Sequence, residues 1–382
     1  MSNIGACKRI AIFFYNEKVK RLVELLRNTY EVEYIAEDNH FLWGKKPNQL
    51  TVVSIAKVFQ LYINKKIDKV VIPWKNSMIQ GQNLYCYLLK YGFEESDVLY
   101  APYRSIFDKN LSDKDRINLI NIYNMKDELE CLDIIISNSC DIKCKNCSLF
   151  TGLAGDNNFA DFEISKVALR KIKSIYSRID EIHITGGEPF LNPDLSKYCR
   201  IIREFFPKTK IFIDTNGVVL KTLQMDDCSF LLQYDIVLKV AYFPEYDGAI
   251  DKLHIKLDRW GIRHQIRHEK YYFEKYYDFA GKRDINDAFF HCKKRFRKLV
   301  LYENELFPCY TPFALRNAER LIPLQISDKS TMDLFEKQNV SNKDVWQSLN
   351  KSSEYCRFCY DSLVSWKNLK DEEKRDKKNW SV

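Results

Sequence analysis

The stretch CDIKCKNC, residues 140 to 147, sets three thiols, Cys140, Cys144 and Cys147, at C-x3-C-x2-C spacing. Soft thiolates gathered in one loop suit an iron-sulfur cluster or zinc. A structural zinc site wants a fourth ligand nearby, and neither His nor Cys occurs between Cys147 and His183. A cubane cluster held by three protein thiolates keeps one iron open to an exogenous ligand, and the loop fits that arrangement. A second set, Cys292, Cys309, Cys356 and Cys359, suits a fully ligated cluster or a zinc tetrathiolate. Two further motifs follow apolar, β-branched runs: GGEP (Gly186, Gly187, Glu188, Pro189) and TNG (Thr215, Asn216, Gly217). Consecutive glycines let a ligand approach the backbone, and a carboxylate there can pair with an ammonium group.

The elements that would position these groups alternate in type. LDIIISNS reads as a strand leading into the first cysteines. EISKVALRKIKSIY reads as a helix with Ile164, Val167, Ala168, Ile172 and Ile175 on one face. EIHITGGEP, DLSKYCRIIREFF, KIFIDTNG, DIVLKVAYF and HQIRH continue the pattern. So many β/α repeats predict a parallel barrel or part of one, with its site at the C-terminal ends of the strands. Tyr242 on the fourth strand, and His264, Arg267 and His268 on the fifth, are candidate catalytic residues on that basis. Cysteines 292 and 309 flank RKLVLYENELFPC, which reads as a hairpin turning at Asn304.

Residues 8 to 102 alternate strand and helix patterns again, from RIAIFFY to DVLYAP, and predict a small parallel sheet with helices on both faces. The first strand-to-helix turn, FFYNEKVKRL, has no glycine, which argues against close approach of a pyrophosphate. The whole reading is an α/β chain in five segments: a Rossmann-like domain over 1–103, a polar helical connector over 104–130, the barrel core over 131–290, a cysteine-ligated segment over 291–366 and a charged tail over 367–382.

Composition narrows the function classes. Twelve cysteines with no signal-peptide pattern at the start predict a reducing, cytoplasmic setting and metal chemistry rather than disulfides. No apolar run is long enough for a membrane span. A formal charge of +8, spread along 382 residues and without a groove-reading motif, disfavours nucleic acid as a partner. The basic stretch HCKKRFRK reads as an exposed face beside a metal site, and the tail KDEEKRDKK as a solvated or frayed end. Cys7, Cys86, Cys131, Cys199 and Cys228 read as small buried hydrophobes.

At the triplet, GGEP and TNG, taken in order on successive strands, the chain resembles the radical S-adenosylmethionine enzymes, although Asn146 replaces the usual aromatic before the last cysteine. The resemblance implies a partial (β/α)6 TIM-like barrel over about 131–300, and a 4Fe-4S cluster on Cys140, Cys144 and Cys147. It implies S-adenosylmethionine bound beside Gly186, Gly187, Glu188, Pro189, Thr215 and Asn216, with Glu188 on the ammonium group. Cleavage would yield a 5′-deoxyadenosyl radical that abstracts hydrogen from a substrate, fed by a reducing electron donor such as flavodoxin or ferredoxin. The later cysteines resemble a twitch or SPASM auxiliary-cluster domain, with four ligands for one auxiliary 4Fe-4S cluster or a zinc ion. The N-terminal segment, with Glu37, Asp38, Asn39 and then Gly44, resembles Rossmann-like domains of bacterial glycan biosynthesis. Together these imply an oxidoreductase or epimerase acting on a small-molecule carbohydrate or sugar nucleotide in polysaccharide biosynthesis. Dehydrogenation is favoured because no free thiol is evidently placed to donate hydrogen. The alternatives are a maturase of a ribosomally made peptide and a non-catalytic iron-sulfur sensing protein.

Overall fold

The computed structural model describes residues 8–14, 17–37, 39–74, 84–85, 87–102, 110–122, 128–242, 250–268, 272–290, 292, 298–365, 367–370, 372–373, 376 and 379–380. Cys7 and Cys86 lie outside the described residues, as do Asp38 and most of the HCKKRFRK stretch. The chain divides into two compact units, Met1–Lys126 and Asp127–Val382.

The first unit is an open sheet. Its strands are β1 (Arg9–Phe13), β2 (Glu31–Ala36), β3 (Thr51–Val53), β4 (Lys69–Trp74), β5 (Val98–Pro102) and β6 (Asn121–Ile122), in the order β3-β2-β1-β4-β5-β6. All neighbours are parallel except β5 and β6. Alternate residues of β1 serve opposite faces, as the two-residue period of a strand requires. Ile10 and Ile12 pack with Val19, Leu22 and Leu26, whereas Ala11 and Phe13 pack with Val58, Leu61 and Leu88. The expected connector over 104–130 is helical only at Asp113–Asn118 among the described residues. Asn121–Ile122 instead add β6 to the first sheet, and Glu128 already opens the next strand.

In the second unit, β7 (Glu128–Ser137), β8 (Arg178–Gly186), β9 (Lys210–Thr215), β10 (Ile236–Tyr242) and β11 (His264–His268) lie side by side and parallel. Helices Phe162–Ile175, Leu195–Phe205, Met225–Gln233 and Ile250–Arg259 make the crossovers. The first is capped by Asp161, whose carboxylate accepts from the Ile164 amide at 2.9 Å. It buries Ala168, Ile172 and Ile175 as expected, together with Ser165 and Leu169, whereas Ile164 and Val167 are exposed.

Among the described residues, the strand succession stops at five. The next strand, β12 (Tyr272–Tyr277), leaves the sheet and later pairs antiparallel with β16 (Cys359–Ser365). The sixth parallel strand, β13 (Leu299–Tyr302), joins at the opposite edge beside β7. It carries β14 (Glu305–Phe307) and β15 (Met332–Asp333) antiparallel beyond it. The hairpin between β13 and β14 is as expected, but its left-handed residue is Glu303, at φ +51°, rather than Asn304. Asn304 instead donates its side-chain amide to Asp333 at 2.8 Å. Among the described residues, no helix is long and apolar enough to cross a membrane.

Candidate cofactor site

Strand β7 ends at Ser137, and the chain turns at once into the cysteine loop. That turn is locked to the end of β8: the Gly187 amide donates to Ser137 O at 2.7 Å and the Glu188 amide to Ser139 O at 2.8 Å. A Cβ at Gly186 or Gly187 would stand 2.1 Å from those same two carbonyl oxygens, and Gly186 holds φ +138°. The two glycines are thus required by the chain's own backbone, which takes the close approach that the motif suggested for a ligand.

The Glu188 carboxylate is fully buried and ties the end of β8 to that of β9. It accepts from the Phe190 amide at 3.1 Å, Thr215 Oγ1 at 2.8 Å and the Asn216 amide at 2.8 Å. Burial pushes its pKa up to about 7 in spite of these hydrogen bonds. All three partners are neutral donors, so a cationic ligand group is what would hold the charged form. Pro189 opens the 3-10 turn Pro189–Leu191, pre-set for helical φ. Asn216 bridges onward: its side-chain amide donates to Asp141 Oδ1 at 2.6 Å and lies 3.7 Å from Cys140 Sγ.

Burial raises the Cys140 thiol well above its ordinary range, and the charges of Glu188, Cys144 and Cys147 raise it further. Three thiols arranged in this way ionise together only around a cation, which fits iron. Asn146 sits at φ +55° between the second and third cysteines, and its buried Oδ1 has no hydrogen-bond partner among the described residues. An acceptor left open beside the loop also fits a bound ligand.

The structure brings the second cysteine set together as well. Cys309 precedes the helix Tyr310–Ala318, while Cys356 and Cys359 flank the end of a 3-10 turn. Burial pushes the Cys309 thiol up to about 12, with the charges of Cys356 and Cys292 adding to it. Cys359 is raised in the same way by burial and its three companions. Hydroxyls attend both sets: Thr151 at 3.6 Å from Cys147 Sγ, Thr311 at 3.4 Å from Cys359 Sγ and Ser353 at 3.8 Å from Cys356 Sγ.

Of the expected catalytic residues, Tyr242, Arg267 and His268 close β10 and β11, where Tyr242 pairs with His268. Their side chains lie outside the described residues. His264 does not belong with them. It opens β11 at the opposite end and contacts His254 at 2.6 Å.

A row of polar groups crosses the sheet where parallel strands are ordinarily apolar. Asp133 on β7 pairs in register with His183 on β8, and Asp214 on β9 with Lys239 on β10. The fully buried Asp133 side chain is bonded to the Lys298 ammonium and the Tyr310 hydroxyl. Cys131 Sγ lies 3.5 Å from it. His183 Nδ1 is 3.0 Å from Asp214, and Lys239 Nζ is 3.4 Å from His183 Nε2. Burial opposes the Lys298 charge, but Asp133 outweighs it and raises the ammonium's pKa. Burial and Asp133 both raise that of the Tyr310 phenol. The sequence carried a signal for this row, a polar residue inside each apolar run: LDIII, EIHIT, KIFID and VLKVA. Cys131 therefore faces a polar site from within β7, against the expectation that it precedes the strand as a small hydrophobe. Cys199 and Cys228 are buried in helices, as expected.

Residues 134–279 match the family model described as Radical SAM superfamily. Among curated proteins, the GTP 3′,8-cyclase of Campylobacter jejuni subsp. doylei is 30% identical over 110 residues, covering 28% of this chain and 33% of that protein. The chain thus spans about a third of the length of the curated relatives it matches. Among solved structures, BtrN in complex with AdoMet and 2-DOIA aligns at 15% identity and TM-score 0.42, over 60% of this chain and 92% of that one. The UDP-D-quinovosamine 4-dehydrogenase of Vibrio fischeri aligns at 20% identity and TM-score 0.23, over 25% of this chain and 80% of that one. The 4Fe-4S cluster and S-adenosylmethionine are the cofactors of the matched family, and its model takes in the cysteine loop, GGEP and TNG. Residues 134–279 form a Radical SAM superfamily domain.

Proposed function

We propose that the protein is a radical S-adenosylmethionine oxidoreductase that oxidises an alcohol of a carbohydrate or sugar nucleotide. In this reading Cys140, Cys144 and Cys147 hold the open cluster, Cys292, Cys309, Cys356 and Cys359 hold an auxiliary 4Fe-4S cluster, and Glu188 meets the ammonium of S-adenosylmethionine. Bound together, the first cluster and S-adenosylmethionine supply a primary carbon radical able to take hydrogen from an unactivated C–H bond.

The observation that carries the substrate class is the polar row. Two ammonium groups, two carboxylates, an imidazole and a phenol interleave donors with acceptors, which suits hydroxyl groups that both donate and accept. A phosphate alone would meet Asp133 and Asp214 as repulsive neighbours. Side-chain exposure rises along the row from 0% at Asp133 to 23% at Asp214, which gives a ligand a way in. Oxidation of a carbinol to a ketone removes two electrons and two protons. One of each leaves as the abstracted hydrogen atom; the remaining hydroxyl proton needs a base, and the remaining electron an acceptor. His183, oriented by Asp214, is the base of this scheme, and the auxiliary cysteines offer the place for the acceptor.

The position of Cys131 favours a second reading, epimerisation, in which a thiol returns hydrogen to the opposite face. The test is anaerobic turnover in deuterated water with sugar nucleotides and free polyols, following 5′-deoxyadenosine and products by mass spectrometry. A ketone without deuterium supports oxidation. An inverted carbon carrying solvent deuterium, abolished by Cys131→Ala, supports epimerisation. Turnover only of a peptide would overturn the carbohydrate assignment.

A further inference from the structure

The tail, expected to be a solvated or frayed end, is folded onto the cysteine loop. Residues 367–369 run antiparallel to 143–145. The Lys145 amide donates to Lys367 O at 2.8 Å, the Leu369 amide to Lys143 O at 2.7 Å, and the Lys143 amide to Asn368 Oδ1 at 3.0 Å. Cys144 and Asn368 face each other across this bridge. A second contact follows at the chain's far end, where the Asn146 amide donates to Asn379 O at 3.0 Å. Backbone groups of Lys143, Lys145 and Asn146, which precede Cys144 or separate it from Cys147, are thereby bonded to the tail.

Trp380 anchors this arrangement. Its side chain is only 1% exposed and packs on Phe150, with ring centroids 5.8 Å apart. A Cβ at Gly152 would stand 3.0 Å from the indole Cη2, so the short helix Thr151–Ala154 keeps a glycine where the ring lies. Glu373 knits the tail to itself, accepting from the Lys370 amide at 2.9 Å through its carboxylate and from the Asn379 side chain at 2.9 Å through its carbonyl. A charged segment that buries its one large aromatic and ladders with a metal-binding loop is not a solvated end. Burial of an indole contributes more than any other single side chain could at this position.

We propose that the tail is a structural part of the cluster site, with Asn368 and Trp380 as positioning residues that hold loop 140–147 in its thiolate-presenting shape and shield Cys144 from solvent and oxygen. The inference rests on the assignment of the open cluster to this loop. Without the tail, the Cys140 end of the loop keeps its bonds to Asn216 and its lock to β8, but the backbone N–H groups of Lys143, Lys145 and Asn146 lose the partners described above. Opening of the loop should then become more frequent, and chelators and dioxygen should reach the iron sooner.

The test measures iron release from the full-length reconstituted protein in air-saturated buffer containing a ferrous chelator, with far-UV circular dichroism as the folding control. Trp380→Ala should release the loop's share of iron, about half the total, at least about tenfold faster than wild type, because local opening is the rate-limiting exposure. The other half should leave at the wild-type rate, and Trp380→Phe should recover most of the protection. Asn368→Ala, a change at a partly exposed position that spares the fold, should accelerate the same half by a smaller factor. Wild-type release rates in both Trp380→Ala and Asn368→Ala would overturn the proposal. Retention of all iron after Cys140, Cys144 and Cys147 are changed to Ala would instead overturn the underlying cluster assignment, so the two failures are distinguishable.

Discussion

The two cysteine sets reach a similar end by opposite routes. The loop set lies within eight consecutive residues, and its geometry comes from the strand ends around it: β7 delivers it, Gly186 and Gly187 lock it, and Asn216 touches Cys140. The second set is drawn from three distant places, Cys292, Cys309 and the pair Cys356 and Cys359, which β13, β14 and the β12–β16 ribbon bring near one another. A contiguous loop can be local and still leave a coordination position open. A set assembled from remote segments gains most by being complete, since its ligation also closes long stretches of chain. On the proposed assignment, the first set serves exchange with a ligand and the second holds segments together.

The largest effect that could break this contrast is removal of the loop thiols. Changing Cys140, Cys144 and Cys147 together to Ala should remove about half of roughly eight irons and all 5′-deoxyadenosine formation, with little change in thermal stability. Iron analysis and a product assay check both halves of that statement. Changing Cys309 to Ser should do the reverse in kind. On the proposed assignment, thermal stability should fall by about 3 kcal/mol or more, because the other three thiols lose a ligand to their shared cluster, while S-adenosylmethionine still binds. If Cys309→Ser left the melting temperature untouched, the second set would not be the tether described.

Gly187→Ala sharpens the contrast further. The added Cβ meets Ser139 O at 2.1 Å, so the lock between β7 and β8 must open, at about 3 kcal/mol or more. The damage should appear as loss of the loop's iron rather than that of the second set.

Glu188 offers a subtler test through pH. Its folded pKa of about 7 lies above the usual carboxyl value. Between those two values the folded protein therefore holds a proton that the unfolded chain has lost. Stability of the ligand-free protein should fall as pH rises through that window, by about 3 kcal/mol in order of magnitude, and level off above it. Glu188→Gln should flatten the slope in chemical denaturation. In the same variant, S-adenosylmethionine affinity should drop and lose its rise between pH 6 and 8, as checked by calorimetry. The smallest effect is expected at His264→Ala, which touches His254 at the far end of β11 and should leave cofactor cleavage within about twofold of wild type.

Sequence spacing was enough to find the cysteine loop, GGEP and TNG, because each is contiguous and each sits where an apolar run ends. It also marked the βα alternation of both units, which depends on local periodicity. It read LVLY only as a hairpin arm of the later segment and did not place it beside β7, since nothing in LVLY says at which edge of a sheet it will dock. It assigned GGEP's glycines to a ligand, because a requirement for no side chain looks the same whether the close neighbour is a cofactor or the backbone of Ser137 and Ser139.

The tail and the polar row mark the boundary most clearly. By itself, the sequence determined the thiol count, the local order of strand, loop and helix, and the chemistry those thiols favour, all of which depend on residues near one another along the chain. Only the tertiary structure decided that Trp380 packs on Phe150, that Asn368 faces Cys144, and that Asp133, His183, Asp214 and Lys239 share one row with Lys298 and Tyr310. Each of these pairings joins residues remote in sequence. Which partner a buried indole or carboxylate finds is set by the register and edge order of the folded sheet, and not by the residues on either side of it.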